Sequence, residues 1–209
     1  MDNFESDYQF ILNHHFYEPN RDYIADNKRF LRIIETYEDI DSPYGKYAWL
    51  VGHAYYYLKS ACYRTGVIRN LEKYLTLKPF IEDYPNTYIS PEHNSAITLP
   101  RTKKDFILAE KTHFKTVYFL LGRTCEKENL LEKAFFYLQK GREVIPEEQT
   151  LFFVELYEVY RKMNNLPQFI QECENLPVKQ QSDHINCLKG MAQGLINRNY
   201  VYKPRKKRS

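Results

Sequence analysis

The 209 residues include 43% hydrophobic side chains and carry a formal net charge of +3, a composition that can bury a core and excludes a chain too polar to fold. The charge is uneven: Lys203, Arg205, Lys206, Lys207 and Arg208 place five positive charges in the last seven residues, so the rest of the chain carries −2. No apolar run approaches the roughly 20 residues a spanning helix needs, and Asp2, Glu5 and Asp7 make the start acidic where a secretory signal is basic; an intracellular protein with no membrane partner is expected.

Nineteen Tyr and thirteen Phe against seven Gly favour long aromatic-packed helices over turn-rich sheets, and the apolar period supports that choice. A first helix is predicted over 3–14, with Phe4, Tyr8, Ile11 and Leu12 on one side, ended by Pro19-Asn20. A second is predicted over 22–39, with Phe30, Ile33, Ile34 and Tyr37 at i, i+3, i+4 and i+7. Ser42-Pro43 reads as a cap followed by an N1 proline, opening a long helix through Trp49, Gly52, Tyr55 and Leu58 to about Arg64, with Gly66 as the break before Leu71, Tyr74 and Leu75. Residues 1–84 thus form the N-terminal helical hairpins, and 85–102, with three prolines, reads as a loop or linker. Helix resumes near Lys104.

Over residues 115–148, Tyr118, Leu121, Gly122 and Cys125 form one helical stripe, Ala134, Leu138 and Gly141 form a second, and Pro146 ends it. The pattern returns 35 residues later, over 150–177, as Phe153, Leu156, Tyr157 and Tyr160, then Phe169, Cys173 and Leu176, closed by Pro177. A last amphipathic helix over 182–197, with Ile185, Leu188, Ala192 and Leu195, would cover the end of the stack, completing a region 103–198 before a basic tail, 199–209, read as disordered.

Aromatic Tyr118, the Leu121-Gly122 pair, small Ala134 and Gly141, and the closing Pro146 resemble the tetratricopeptide repeat; the second copy departs from it at Phe169, where a small residue is usual, and residues 44–84 hold a divergent, elongated relative. The resemblance implies an all-α, short right-handed solenoid of helical hairpins and a non-catalytic interaction module, a scaffold, adaptor or assembly subunit with a protein or peptide partner and no cofactor. It further implies a concave groove lined by Thr116, Phe119, Arg123, Glu126 and Lys127 from one unit and Leu151, Val154, Glu158, Arg161 and Lys162 from the next. One subtype of the family grips a C-terminal carboxylate with Lys and Asn at fixed first-helix positions. Phe119, Arg123, Val154 and Glu158 stand there in this chain, so that mode is not expected.

The basic stretch Lys203, Arg205, Lys206, Lys207 and Arg208 resembles a nuclear import signal, and it reads equally as a polyanion contact, with Tyr200 and Tyr202 available to stack on bases, or as a solubilising tail. A nucleic-acid-associated protein is therefore the alternative reading. Cys173, His184 and Cys187 supply three metal-capable residues and no fourth ligand, and the four widely spaced cysteines are expected as reduced, buried thiols. The sequence carries no glycine-rich phosphate loop, nucleophile elbow or paired metal-binding histidines on a helix, so no enzyme activity is expected.

Overall fold

The computed structural model describes residues 4–14, 22–79 and 103–204, apart from the side chains at 103, 105 and 106. The segment 85–102 and tail residues Arg205, Lys206, Lys207 and Arg208 lie outside the described residues. Among those described, the protein is all-helical: nine α-helices packed against one another and joined by short turns and 3-10 segments. They are α1 Phe4–Asn13, α2 Tyr23–Tyr37, α3 Lys46–Tyr57, α4 Arg64–Thr76, α5 Lys103–Lys127, α6 Leu131–Val144, α7 Phe153–Lys162, α8 Leu166–Glu174 and α9 Asp183–Asn197. No described helix is long and apolar enough to cross a membrane. The chain divides into two compact units, Met1–Val117 and Tyr118–Ser209, with the division inside α5.

In the first unit α3 is the central element, in contact with α1, α2 and α4. Its sequence is apolar over most of its surface, as a central helix requires: Ala48, Trp49, Leu50, Val51, Gly52, His53, Ala54 and Tyr57 are buried, and Lys46, Tyr47, Tyr55 and Tyr56 half-buried. The stripe expected on α2 packs as read, with Phe30, Ile33, Ile34 and Tyr37 buried, and Asp22 caps the helix by accepting from the Ile24 and Ala25 N–H groups at 3.0 and 3.1 Å. On α1 the carboxylate of Asp7 is buried with its charge met: Arg29 and Arg32 pair with it and the Tyr37 hydroxyl donates to it at 3.2 Å.

Pro43 does not open α3; Pro43 accepts a backbone bond from Lys78, Tyr44 and Lys78 form an isolated parallel bridge, and the helix starts at Lys46. The break before α4 lies at Lys59, whose φ of 56° turns the chain in the left-handed region, and not at Gly66, which sits inside α4. Gly66 is small for another reason. A methyl group there would come within 2.8 Å of the Tyr55 ring.

In the second unit most of the expected stripe positions are core: Leu121, Gly122 and Cys125 on α5, Ala134, Leu138 and Gly141 on α6, Phe153, Leu156, Tyr157 and Tyr160 on α7, and Phe169 and Cys173 on α8 are buried, whereas Tyr118, expected at the head of the α5 stripe, is half-buried. Glu172 of α8 ties three helices together, accepting from Gln139 and pairing with Arg142 of α6 while the Tyr160 hydroxyl of α7 donates to it. Pro146 does more than stop α6; it opens a 3-10 segment, Pro146–Phe152, that delivers the chain to α7.

Asn129, Asn164 and Asn199 follow α5, α7 and α9 with φ of 60°, 57° and 53°, each 35 residues from the next. After each, the following N–H reaches back to a carbonyl five residues earlier: Leu130 to Cys125, Asn165 to Tyr160 and Tyr200 to Leu195. This is the Schellman stop, which favours Gly or Asn because the left-handed conformation penalises other side chains. Buried Leu188 and Ala192 also fall 35 residues after Phe153 and Tyr157, so α9 continues the register of α5 and α7.

Candidate partner groove

All described groove positions except Thr116 belong to the second unit, on α5, α7 and the 3-10 segment Pro146–Phe152 that joins α6 to α7. Thr116 bonds back along its own helix to the Thr112 carbonyl at 2.9 Å. Phe119 is half-buried, with its ring edge-on to buried Phe152 at 5.9 Å, so it anchors the 3-10 segment. Leu151 and Val154 are 47% and 41% exposed, an apolar pair on the surface at the start of α7. Val154, Glu158 and Arg161 continue along one face at i, i+4 and i+7.

The charged residues are cross-linked. Arg123 Nε lies 3.3 Å from Glu155 Oε1, and Lys162 Nζ lies 2.5 Å from Glu126 Oε1 and 3.1 Å from the Glu126 carbonyl, so two ion pairs bridge α5 and α7. Lys162 at 15% and Glu126 at 10% side-chain exposure are largely withdrawn from water, and the ammonium also serves a carbonyl in the last turn of α5, where a cation is favoured. Arg161 pairs along its own helix with Glu158, at 2.5 Å from Nη2 and 3.1 Å from Nε. Lys127 is exposed, close enough to stabilise the Glu155 carboxylate electrostatically.

Glu155 is the groove residue that the sequence reading omits. Burial pushes its carboxyl above the usual carboxylate range; Arg123 and Lys127 oppose the shift, while Glu126 and Glu158 add to it. The signal was present, since Glu155 stands at i+4 from Leu151 and i−3 from Glu158, but an acidic residue on that face reads as solvated until its partner Arg123 is placed beside it.

The C-terminal segment also enters the site. Arg161 Nη1 donates to the Tyr200 hydroxyl at 2.8 Å, the Tyr202 N–H donates to Asn164 Oδ1 at 2.6 Å, and the Tyr202 ring lies 5.4 Å from the Arg161 guanidinium and 6.0 Å from the Lys162 ammonium. The first residues of the segment read as a disordered tail are therefore seated on the end of α7, whereas Lys203 is exposed. Two tyrosines and a helix-stopping asparagine join Arg161 and Lys162 in a way that no spacing in the sequence announces.

The remaining candidates do not assemble with this face. Cys173 is buried and its thiol is pushed up to about 11 by burial, while His184 and Cys187 are exposed; among the described residues no three His, Cys, Asp or Glu side chains converge as a metal site. The expectation of four buried thiols is corrected for Cys62 and Cys187, both exposed. A second titratable cluster lies in the first unit, where the Tyr8 hydroxyl is 2.6 Å from His113 Nε2 and the His113 ring is 4.8 Å from Trp49. Burial holds His113 neutral, down to about 3, and Tyr8 and His113 are both enclosed, so this cluster is core and not a surface for a ligand.

Comparison with protein-family models, curated proteins and solved structures finds no match for this chain.

Proposed function

We propose that the protein is a non-catalytic interaction module, a scaffold, adaptor or assembly subunit, that seats a protein or peptide partner along α5 and α7. In this reading α5 to α9 form a short right-handed solenoid of helical hairpins resembling tetratricopeptide proteins, and the protein acts inside the cell. The recurrence of one helix stop at Asn129, Asn164 and Asn199 supports the repeat architecture, because it adds to the packed stripes a backbone feature with the same 35-residue spacing.

The observation that carries the function is the pairing pattern on this face. Arg123, Arg161 and Lys162 each contact a carboxylate, while apolar Leu151 and Val154 stand exposed beside them. Cations that are already neutralised gain little from a phosphate backbone, whereas exposed apolar side chains framed by oriented polar groups suit a peptide. In the first unit Arg69 likewise pairs with Glu38, and Lys59 lies over the Tyr23 ring at 5.8 Å. A nucleic-acid role would have to rest on the basic tail.

The test is capture from native cell extract on full-length protein, with Val154→Asp as the groove variant and with salt and nuclease as treatments. The proposal expects a defined partner retained through high salt and nuclease and lost with Val154→Asp. A partner indifferent to Val154→Asp and removed by nuclease would overturn it in favour of nucleic-acid association.

A further inference from the structure

We propose that Tyr200 and Tyr202 are an internal ligand of the groove: the end of α7 is a recognition site for an extended Tyr-x-Tyr segment, and the chain's own copy must leave before a partner bearing such a segment can seat. The proposal rests on the interaction reading for the identity of the site and adds to it the chemistry of the ligand and the competitor.

The contacts are those by which a surface recognises a peptide. A side-chain amide takes a main-chain N–H, Asn164 from Tyr202; a guanidinium donates to a phenol, Arg161 to Tyr200; and an aromatic ring lies near two cations. Arg161 is held in place for this by Glu158, and Lys162 by Glu126, so both cations are oriented before any ligand arrives. Asn164 is fixed by its role as the stop of α7. Val201, between the two tyrosines, is 61% exposed against 38% for Tyr200, so the contacts with α7 are made by the residues on either side of it.

The occupant is weakly retained by its own burial. Tyr200 remains 38% exposed and Tyr202 is half-buried, so only part of the segment's apolar surface holds it down and its seat depends also on being tethered. The tether is short: Tyr200 follows directly on Asn199, which ends α9 by the Schellman stop. A ligand so attached competes at an effective concentration on the order of millimolar, enough to mask the site from a partner of modest affinity. The apolar pair Leu151 and Val154, further along the same face, remains exposed for the rest of a partner peptide.

The experiment titrates a synthetic peptide of residues 198–204 into two full-length, nitrogen-15-labelled proteins, the native chain and Tyr200→Phe/Tyr202→Ala, and follows amide shifts at Arg161, Lys162 and Asn164 by NMR. The proposal expects saturable shifts in the double variant and at least tenfold weaker binding to the native chain, with Arg161→Ala abolishing both. Preserved dispersion of the other resonances verifies that each variant is folded. Equal binding to the two proteins, or no saturable binding to the double variant, overturns the proposal. The partner captured through Val154 separates the two readings: capture that rises in Tyr200→Phe/Tyr202→Ala supports displacement, and capture that is unchanged there but lost in Val154→Asp overturns displacement while leaving the interaction module standing.

Discussion

Gly122 and Gly190 have the same side chain and opposite reasons for it. A Cβ at Gly122 on α5 would meet Leu138 of α6 at 2.5 Å, because the two helices approach through that position, whereas a Cβ at Gly190 on α9 meets nothing within 4 Å. Alanine at Gly122 therefore overpacks a closed interface, and alanine at Gly190 improves helix propensity at no steric cost. Gly122→Ala is expected to destabilise by about 1–2 kcal/mol and Gly190→Ala to stabilise by about 0.5–1 kcal/mol. Urea denaturation of the two variants followed by far-ultraviolet circular dichroism checks both signs; a stabilising Gly122→Ala would mean that α5 and α6 do not pack at this position. The tetratricopeptide resemblance singles out Gly122 as a packing residue, but Gly66 shows how far residue type alone goes. Read as a helix break, it is instead the small neighbour of the Tyr55 ring, a role invisible until α3 and α4 are laid side by side.

Between elements, the two ion pairs that bridge α5 and α7 differ in worth. Arg123 is 40% exposed and its pair with Glu155 is partly screened, while Lys162 and Glu126 are at 15% and 10% and their pair is shielded. Removing the ammonium alone leaves a buried carboxylate and a helix-end carbonyl without their cation. Lys162→Met is accordingly expected to cost about 2–4 kcal/mol, and Lys162→Met/Glu126→Gln to recover at least half of that loss. Equal losses in the single and double variants would show that the pair is not a stabilising unit. Helix faces were legible in the sequence because the 3.6-residue period sorts side chains: the stripes on α2 and α5 to α9 supply most of the observed core, with Tyr118 on α5 and Leu195 on α9 only half-buried at its margin. What those faces meet was not. Glu126 and Lys162 are 36 residues apart, Arg123 and Glu155 are 32 apart, and period alone carries no information on such pairings. The start of α3 departs from the sequence pattern for a related reason: Ser42-Pro43 has the composition of a helix start, while the backbone bonds of that turn go to Lys78.

At the scale of the whole molecule, the two units carry different titrating cores. Tyr8, His113 and Trp49 are buried together in the first unit, with Glu110 one turn before His113 on α5 and bonded by the Tyr74 hydroxyl at 2.5 Å. Burial lowers His113 from 6.5 to about 3, so between those values the unfolded chain binds a proton that the folded unit refuses. The slope of stability with pH is positive in that window: stability is complete above about 6.5 and is lost as the pH falls toward 3, by an amount on the order of 3–5 kcal/mol. Trp49 is the single tryptophan of the chain and its ring lies 4.8 Å from that of His113, so its fluorescence follows the first unit alone while circular dichroism follows all the helices. Acidification from pH 7 to 4.5 is expected to lower the urea midpoint read by Trp49 more than the midpoint of the second unit, whose one histidine, His184, is exposed. His113→Gln should flatten the Trp49 profile by about one bound proton. A Trp49 midpoint with the same pH slope in native and His113→Gln chains would mean that this imidazole is not held neutral in the core.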